Sequence, residues 1–386
     1  MGKIILKIIG VLLAIAVVVI AGFFFIIIAS LSGEGDFYAP FILMAGLLSI
    51  VWIVTFAFGS LQRKMLWYGL CRMVLASIIA VFISIETQSC IAIIPAINEQ
   101  GVDLRIYEPF KEESKIARLD EKSSLSISDS LPRINGATAM YPMYASFVQA
   151  VYSAGDYPYY NSIVQSGTTP VAYDALMEGD ADVIFCASPS AEQVEEARLR
   201  NLEFHLTPIG SEAFVFFVNK ENPVDELSVE QIQGIYSGKI TNWKEVGGND
   251  EGIRAYQRPK NSGSQTMLEK IMGEVPLMMP PQNNIAGGMG HIIDRTADYK
   301  NFGNAIGYSF LLFATEMVRN NDIKLLKVNG VYPEKNTIKN KTYPFTGEFY
   351  AVTISRDNKN VERLIEWILS PQGQSLIEKT GYVSLN

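Results

Sequence analysis

The chain has 386 residues, of which 48% are hydrophobic and 19% are charged, and its formal net charge is −8. Residues 1–97 hold five basic and three acidic side chains, so residues 98–386 carry a formal charge of −10. An acidic soluble part argues against binding to nucleic acid or to anionic lipid. With two histidines and three cysteines in the whole chain, a multi-histidine metal site and a disulfide framework are excluded.

The N-terminal quarter is dominated by long apolar runs. Residues 4–31 are almost uninterrupted Ile, Leu, Val, Ala and Phe, a run too long for the core of a signal peptide, which favours a retained membrane span. Residues 41–61 form a second apolar run, and residues 66–97 form a third that contains Arg72 and Glu86. The sequence therefore predicts a membrane anchor of three transmembrane helices over residues 1–97.

Basic residues set the predicted orientation of this anchor. Lys3 and Lys7 precede the first span, and Arg63 and Lys64 lie between the second and third, whereas residues 32–40 contain no Lys or Arg. Because basic loops stay on the inner side of the membrane, three spans place everything after residue 97 outside the cell. If the third run does not cross, the same rule leaves the soluble part in the cytoplasm.

The soluble part begins with a polar stretch and continues as an alternation of elements. Residues 98–130 are rich in Glu, Lys, Asp and Ser, which predicts a polar linker. Residues 131–386 alternate apolar runs with helical patterns, which predicts an α/β fold with helices covering mostly parallel sheets. The predicted strands are residues 162–164, 182–186, 213–218, 252–256, 305–308, 324–328 and 349–354. The predicted helices are residues 142–152, 171–177, 191–199, 229–236, 289–299 and 360–369.

Hydroxyl residues and glycines gather at three predicted junctions between a strand and a helix. The junctions read GATA (136–139), SGTT (166–169) and SGS (262–264), and Arg258 stands four residues ahead of the last. A helix start leaves backbone N–H groups without partners and favours negative charge, and arginine adds a planar fork that fits an oxyanion. Each junction alone fits an ordinary capped helix, with Ser262 and Gln265 as a capping box. Together they predict one anion-binding site.

Catalytic alternatives have little support in the sequence. Residues 234–239 lack the spacing and the Ser or Thr of a phosphate-binding loop. A nucleophile–base pair would need His205, which alternates within a strand pattern, or His291, which follows a glycine-rich turn. Cys186 fits a buried strand position. We therefore expect a binding protein, with no enzymatic activity, metal or cofactor.

Four motifs spread along residues 131–386 give the domain a recognisable pattern. They are GATAMYPMYA (136–145), IYSGKITNW (235–243), RPKNSGS (258–264) and AIGY (305–308). In this order they resemble the phosphate-binding proteins of bacterial ABC transporters. The resemblance implies the two-lobed periplasmic-binding-protein-like fold (type 2), whose lobes close on an oxyanion. Lobe one would comprise residues 131–215 and 347–386, and lobe two residues 216–346, with hinge strands near residues 214–218 and 345–352.

The resemblance also implies a ligand set for phosphate. The matching residues on lobe two are Arg258, Ser262, Gly263 and Ser264. Those on lobe one are Thr138, the backbone N–H of Ala139, and Thr169, the last in preference to Thr168 or Ser166.

Two positions depart from the pattern of the family. Relatives commonly carry an aspartate after the strand at 182–186, where it accepts the proton of hydrogen phosphate, but this chain reads CAS (186–188). Lys260 stands where many relatives place an acid that orients the arginine. Glu348 is a candidate replacement for the missing aspartate. A carboxylate acceptor at the site separates protonated phosphate from sulfate, because it repels an unprotonated oxygen. Phosphate is the expected ligand, with sulfate or another tetrahedral oxyanion as the alternative.

These observations predict a membrane-anchored solute-binding protein with its domain outside the cell. It would capture inorganic phosphate between its lobes and deliver it to the permease and ATPase subunits of an ABC transporter. The alternative is a sensor of phosphate or another oxyanion that signals through its transmembrane helices. No nucleic acid partner is expected.

Overall fold

The computed structural model describes the first apolar run and most of the soluble part. The described residues are 2–31, 46, 49, 50, 53, 57, 102–281, 284, 285, 293, 303–318, 320–354 and 358–385. The chain divides into two compact units, Met1–Ala96 and Ile97–Asn386.

The first unit begins with a long apolar helix, α1 (Gly2–Leu31). Its segment Ile5–Phe24 is long and apolar enough to cross a membrane, and none of it is buried within the protein. Its 30 residues rise about 45 Å in total, which exceeds the ~30 Å of a hydrocarbon core. This helix coincides with the first predicted span. The second and third predicted spans lie outside the described residues, apart from five helical positions between residues 46 and 57.

A mixed β-sheet forms the centre of the second unit. The strands are β1 (Ile134–Gly136), β2 (Val183–Ala187), β3 (His205–Asn219), β4 (Glu226–Leu227), β5 (Arg254–Ala255), β6 (Ala305–Phe310), β7 (Ile323–Leu325), β8 (Lys327–Val328) and β9 (Thr346–Thr353). The main sheet has the order β1-β2-β9-β3-β6-β5, with β7 also paired to β3, and β4 pairs with β8 in a small separate sheet.

Helices and short turns connect these strands. The α-helices are α2 (Tyr141–Val151), α3 (Thr169–Glu178), α4 (Ala191–Leu199), α5 (Val229–Tyr236), α6 (Gly263–Met272), α7 (Lys335–Lys339), α8 (Lys359–Leu369) and α9 (Pro371–Thr380). The 3₁₀ turns are Leu104–Tyr107, Thr138–Met140 and Trp243–Val246, and Phe313–Met317 forms a π-helical turn.

Strand β3 links the two sides of the main sheet. Residues 205–213 pair antiparallel with β9, and residues 214–219 pair antiparallel with β6 and β7. The prediction of mostly parallel sheets is wrong, because parallel pairing between the described strands is confined to β1 with β2, β5 with β6 and β4 with β8. An apolar run does not record strand direction, and β9 brings the C-terminal part of the chain back beside β3 in the opposite sense.

Local capping explains why two helices occupy their predicted ranges. The Ser190 and Ser228 hydroxyls each accept a hydrogen bond from the backbone N–H three residues later, and Gln193 and Gln231 return the bond. Such reciprocal capping boxes fix a helix start from sequence alone. The helices α4 and α5 therefore match the predictions for residues 191–199 and 229–236.

Other elements differ from the predicted ranges. Strand β3 starts at His205 rather than at residue 213, since its first part mixes polar and apolar side chains. Helix α9 is absent from the predicted elements, and the strand predicted at 162–164 contributes one bridge between Ile134 and Val164. The helix predicted at 289–299 lies outside the described residues apart from Ile293.

The stretch before the domain differs from the polar linker that composition predicts. Its few apolar residues Val102, Leu104, Ile116 and Ile127 are buried in the main hydrophobic core. The Ile127 N–H donates to the carbonyl of Val151 at 2.7 Å, which ties the stretch to the end of α2. Isolated apolar residues among charged ones form no periodic pattern in the sequence. The packing of residues 102–130 on the domain is therefore apparent only in the folded structure.

A buried carboxyl group lies on β3 where its pairing changes from β9 to β6. Glu212 is 5% exposed, and its Oε1 accepts a hydrogen bond from the Leu312 N–H at 2.7 Å. Its Oε2 is buried without a hydrogen-bond partner among the described residues. Burial raises the pKa of Glu212 to about 8, because a charged carboxylate is poorly solvated there.

We expect Glu212→Gln to stabilise the protein above neutral pH. The folded-state pKa is raised, so the wild type loses stability as pH rises from the ordinary pKa of glutamate to about 8 and the loss is complete above that value. Each unit of pKa shift corresponds to about 1.4 kcal/mol, so the gain should reach several kcal/mol at pH 9 and vanish near pH 4. Thermal melts of the full chain across this range measure the difference. A gain that does not depend on pH would contradict the burial argument.

Candidate functional site

A small cavity lies where three helix starts meet. Its volume is about 30 Å³, which suits a small ion and is far below the ~300 Å³ or more of sites for organic ligands. The residues that line it are Ala137, Thr138, Ala139, Met140, Thr168, Thr169, Ala187, Arg258, Ser262, Gly263, Ser264 and Phe310. All seven residues predicted as ligands belong to this set.

Each helix start presents its N-terminal end at the cavity. The turn Thr138–Met140 leads directly into α2, Thr168 precedes α3, and Ser262 precedes α6. The first N–H groups of a helix have no partner within the helix, and the helix dipole makes this end electropositive. Three such ends around one small cavity create a site for negative charge without any net positive charge on the domain.

Hydrogen bonds hold the first two helix starts together. The Asn135 Oδ1 accepts from the N–H groups of Gly136 and Gly167 at 2.8 and 3.1 Å. The Thr138 hydroxyl donates to the carbonyl of Gly167 at 2.9 Å, and it would have to turn from this bond to donate to a ligand. These bonds within the protein fix the position of the two junctions relative to each other.

Two serine hydroxyls face the cavity from the third helix start. The Ser262 hydroxyl accepts from the N–H of Gln265 at 3.3 Å, which leaves its own proton to donate. The Ser264 hydroxyl is buried and has no hydrogen-bond partner among the described residues. A buried hydroxyl without a partner is costly, and a ligand oxygen in the cavity would satisfy it.

Arg258 brings a buried positive charge to the same cavity. Its residue is 6% exposed, and burial lowers its pKa to about 10, so it remains charged at neutral pH. No Asp or Glu is among the described residues that line the cavity. A buried positive charge that lines the cavity favours an anion there.

The backbone of Arg258 is fixed by a network of side chains. Its N–H donates to Gln265 Oε1 at 3.0 Å and to the Tyr308 hydroxyl at 2.9 Å, and Tyr308 donates to Gln265 Oε1 at 2.6 Å. The Gln265 amide donates to Gln257 Oε1 at 3.2 Å. The capping box suggested by the sequence is therefore half formed: Ser262 caps α6, while the Gln265 side chain positions Arg258.

Gly263 allows the third helix start to approach the second. A methyl group added at Gly263 would lie 2.8 Å from the Thr169 hydroxyl oxygen, a distance shorter than van der Waals contact allows. Thr169 is buried, so it has little space to move away. Glycine at this position therefore has a direct steric reason, the close contact with Thr169.

Of the positions that depart from the family pattern, Ala187 lines the small cavity, whereas Ser188 and Lys260 do not. Ser188 and the candidate replacement Glu348 line an adjoining, larger cavity of about 730 Å³ together with Lys270. The Lys270 ammonium contacts the Ser188 hydroxyl, and Glu348 accepts from the Tyr350 hydroxyl at 3.1 Å. Lys260 pairs with Glu192 at 3.1 Å. Glu348 is not among the described residues that line the small cavity.

Several residues at the site are not among those that the sequence predicts as ligands. Phe310 and Ala187 come from the ends of β6 and β2, and both line the cavity. The Tyr382 hydroxyl, which follows α9, donates to the carbonyl of Ala139. Gln265 and Tyr308 are more than 40 residues apart yet share one hydrogen bond. Their shared role depends on tertiary contacts that no local pattern records.

Cys186 and His205, two of the residues considered for catalysis, do not line this cavity. Cys186 is fully buried in β2, and burial raises the pKa of its thiol to about 12. His205 is exposed at the start of β3, and His291 lies outside the described residues. Among the described residues, no group of three or more His, Cys, Asp or Glu is arranged to hold a metal ion.

Comparisons with known proteins identify relatives of the domain. A family model described as the PBP superfamily domain matches residues 127–372, more than half of the chain. A phosphate-binding protein PstS of Borreliella burgdorferi is 28% identical over 186 residues, which are 46% of this chain and 65% of that protein. A protein of the same name from Bacillus subtilis is 25% identical over 283 residues, covering 72% of this chain and 86% of that protein.

A solved structure with the same fold is also similar in sequence. It is a crystal structure, with bound phosphate, of a protein from Clostridium perfringens that is described as a phosphate ABC transporter substrate-binding protein. The two chains are 25% identical with a TM-score of 0.52, and the match covers 68% of this chain and 100% of that chain. The match confirms the predicted fold class.

We expect Gly263→Ala to lower the melting temperature of the full chain by several degrees. The added methyl group must displace the buried Thr169 side chain, and overpacking of this kind costs about 1–3 kcal/mol. Gly252→Ala is the matched control, since its nearest contact would be 3.8 Å away. The double variant Gly263→Ala/Thr169→Ala should recover part of the loss because it removes the clashing oxygen. Equal melting temperatures for Gly263→Ala and the control would contradict the close approach.

Proposed function

The chain belongs to the PBP superfamily, and we propose that its domain captures inorganic phosphate at the small cavity and delivers it to an ABC permease. One observation carries the proposal: the buried Arg258 and the buried, unsatisfied Ser264 hydroxyl face a cavity of about 30 Å³ that no described carboxylate lines. The curated relatives from Borreliella burgdorferi and Bacillus subtilis are named as phosphate-binding proteins, not as enzymes.

The proposed ligand set combines one charge with several hydrogen-bond donors. Arg258 supplies the charge, Ser262 and Ser264 supply hydroxyl donors, and Gly263 leaves room for an oxygen beside the start of α6. On the opposite side, Thr138, the N–H of Ala139 and Thr169 complete the set. Charge-assisted hydrogen bonds of this kind are among the strongest in proteins, and the buried setting strengthens them further.

Capture would involve closure of two lobes around the anion. We propose residues 131–215 with 347–386 as lobe one and residues 216–346 as lobe two. Strand β3 supports this division, because its pairing changes from β9 to β6 between Ala213 and Phe214. Thr138 and Thr169 would then lie on lobe one, with Arg258 and Ser264 on lobe two. Strands that connect two lobes are the usual place for a hinge.

The membrane anchor would keep the domain beside its permease. Helix α1 is long and apolar enough to hold the chain in the membrane, and the curated relatives carry the name PstS. We propose that the domain lies on the outer side and passes phosphate to permease and ATPase subunits of an ABC transporter. The three-span topology, on which the predicted side depends, remains part of this proposal.

Phosphate should bind the wild-type full chain in detergent, and Arg258→Ala should weaken binding about 100-fold or more. Loss of a buried charged hydrogen-bonding partner costs about 2–5 kcal/mol, and about 1.4 kcal/mol is a factor of ten in Kd. Isothermal titration calorimetry measures both. Arg363→Ala is the matched control, because Arg363 is exposed on α8 and bonds Asn360 on the same helix.

Either of two results would overturn this proposal. One is the absence of phosphate binding by the wild type. The other is phosphate binding by a folded Arg258→Ala variant with the affinity of the Arg363→Ala control.

Sulfate should bind within about tenfold of the affinity of phosphate. Sulfate is fully ionised, and a carboxylate at the site would repel it, but no described carboxylate lines this cavity. Competition calorimetry at pH 8 compares the two anions under one condition. Introducing an acceptor by Ala187→Asp, at the end of β2, should reduce sulfate binding more than phosphate binding. Discrimination above 100-fold by the wild type would show that an acceptor reaches the anion.

A further inference from the structure

Contacts join the two sides of the anion cavity at its edge. The Ser190 hydroxyl donates to Asn261 Oδ1 at 2.9 Å, and the Asn261 amide donates to the Glu192 carboxylate at 2.7 Å. The Lys260 ammonium lies 3.1 Å from the same carboxylate. Ser190 and Glu192 belong to the start of α4, whereas Lys260 and Asn261 precede α6, about 70 residues later in the chain.

These contacts lie within a few residues of the cavity on both sides. Ala187 lines the cavity three residues before Ser190, and Ser262 lines it directly after Asn261. The contacts therefore form only when the segment after β2 and the segment before α6 stand close together. Lys260 points to Glu192 rather than to Arg258, which accounts for a lysine at this position.

The backbone at Asn261 supports a specific role for its side chain. Asn261 has φ +64, a left-handed conformation that asparagine and glycine tolerate better than other residues. In this conformation both ends of its amide are used, the oxygen toward Ser190 and the nitrogen toward Glu192. Asn261 thus bridges the N-cap residue of α4 and the carboxylate on its first turn.

We propose that Ser190, Glu192, Lys260 and Asn261 form a latch that holds the two sides of the cavity together and sets the rate at which a bound anion is released. The inference rests on the proposed function. None of the four residues lines the cavity, so the latch acts on the separation of the two sides and not on the anion itself. Contacts that hold the two sides together after an anion has bound change its dissociation more than its association.

The latch consists of mostly exposed polar contacts, and this limits its strength. Glu192 and Lys260 are exposed, and hydrogen bonds from Asn261 and Lys260 hold the pKa of Glu192 below its usual range. The carboxylate is therefore charged at neutral pH, and exposed pairs of this kind are modest and screened by salt. The latch should slow anion release several-fold rather than by orders of magnitude.

Release of radiolabelled phosphate from the full chain in detergent, after a chase with unlabelled phosphate, tests the latch. Asn261→Gly keeps the left-handed backbone accessible and removes both amide bonds, while Glu192→Gln removes the charge at nearly constant size. Both should release phosphate about three- to tenfold faster with an unchanged association rate. The effect of Glu192→Gln should shrink in 0.5 M salt. Glu195→Gln is the matched control, since Glu195 on the same helix pairs with Arg198 and not with the loop.

The outcomes separate the latch from the proposed function. Release at the wild-type rate by both variants, or an equal change in Glu195→Gln, overturns the latch while leaving phosphate binding intact. If the wild type binds no phosphate, the proposed function fails, and the latch is then judged by melting temperatures without ligand. In that case Ser190→Ala and Asn261→Gly should have non-additive effects in the double variant, and strict additivity overturns it.

Discussion

The buried charge of Arg258 is the constraint on which the rest of the site depends. A guanidinium that is 6% exposed loses most of its hydration, and this cost must be offset by hydrogen bonds and by a counter-charge. Gln257, Gln265 and Tyr308 hold the backbone beside it. The neighbouring helix starts favour negative charge at the same place. These features favour an oxyanion at the cavity, which is the physical basis of the proposed function.

The sheet explains how residues far apart in the chain meet around this charge. Strands β1 and β2 deliver the segments that contain Thr138 and Ala187, and β5 precedes the loop that contains Arg258. Strand β3 runs through both sides of the sheet, and β9 returns beside it. In the proposed two-lobed arrangement, these two strands would form the hinge. Gly263 and Thr169 lie in close contact, and the proposed latch would slow the separation of the two sides.

Local donors also resolve an electrostatic conflict. Residues 98–386 carry a formal charge of −10, so the long-range field of the domain repels an anion. Backbone N–H groups, hydroxyls and one arginine act over a few ångströms in a buried setting, where hydrogen bonds are stronger than in water, whereas the field of exposed charges is screened within about 8–10 Å in physiological salt. The absence of a carboxylate among the described lining residues separates this cavity from the acceptor-bearing pattern that the resemblance implies. Selection between phosphate and sulfate then depends on the anion's own protonation.

The sequence alone determined the elements and residues whose signals are local. Capping at Ser190 and Ser228 fixed two helices, and the family resemblance of the sequence motifs implied seven ligand residues that the structure brings to one cavity. Tertiary structure alone decided the antiparallel course of β3 and β9, the packing of Ile116 on the core, and the pairing of Lys260 with Glu192. The physical reason is the range of each interaction. Capping and side-chain spacing act within a few residues, whereas strand direction, burial and contacts across the cavity depend on partners that the chain brings together only when it folds.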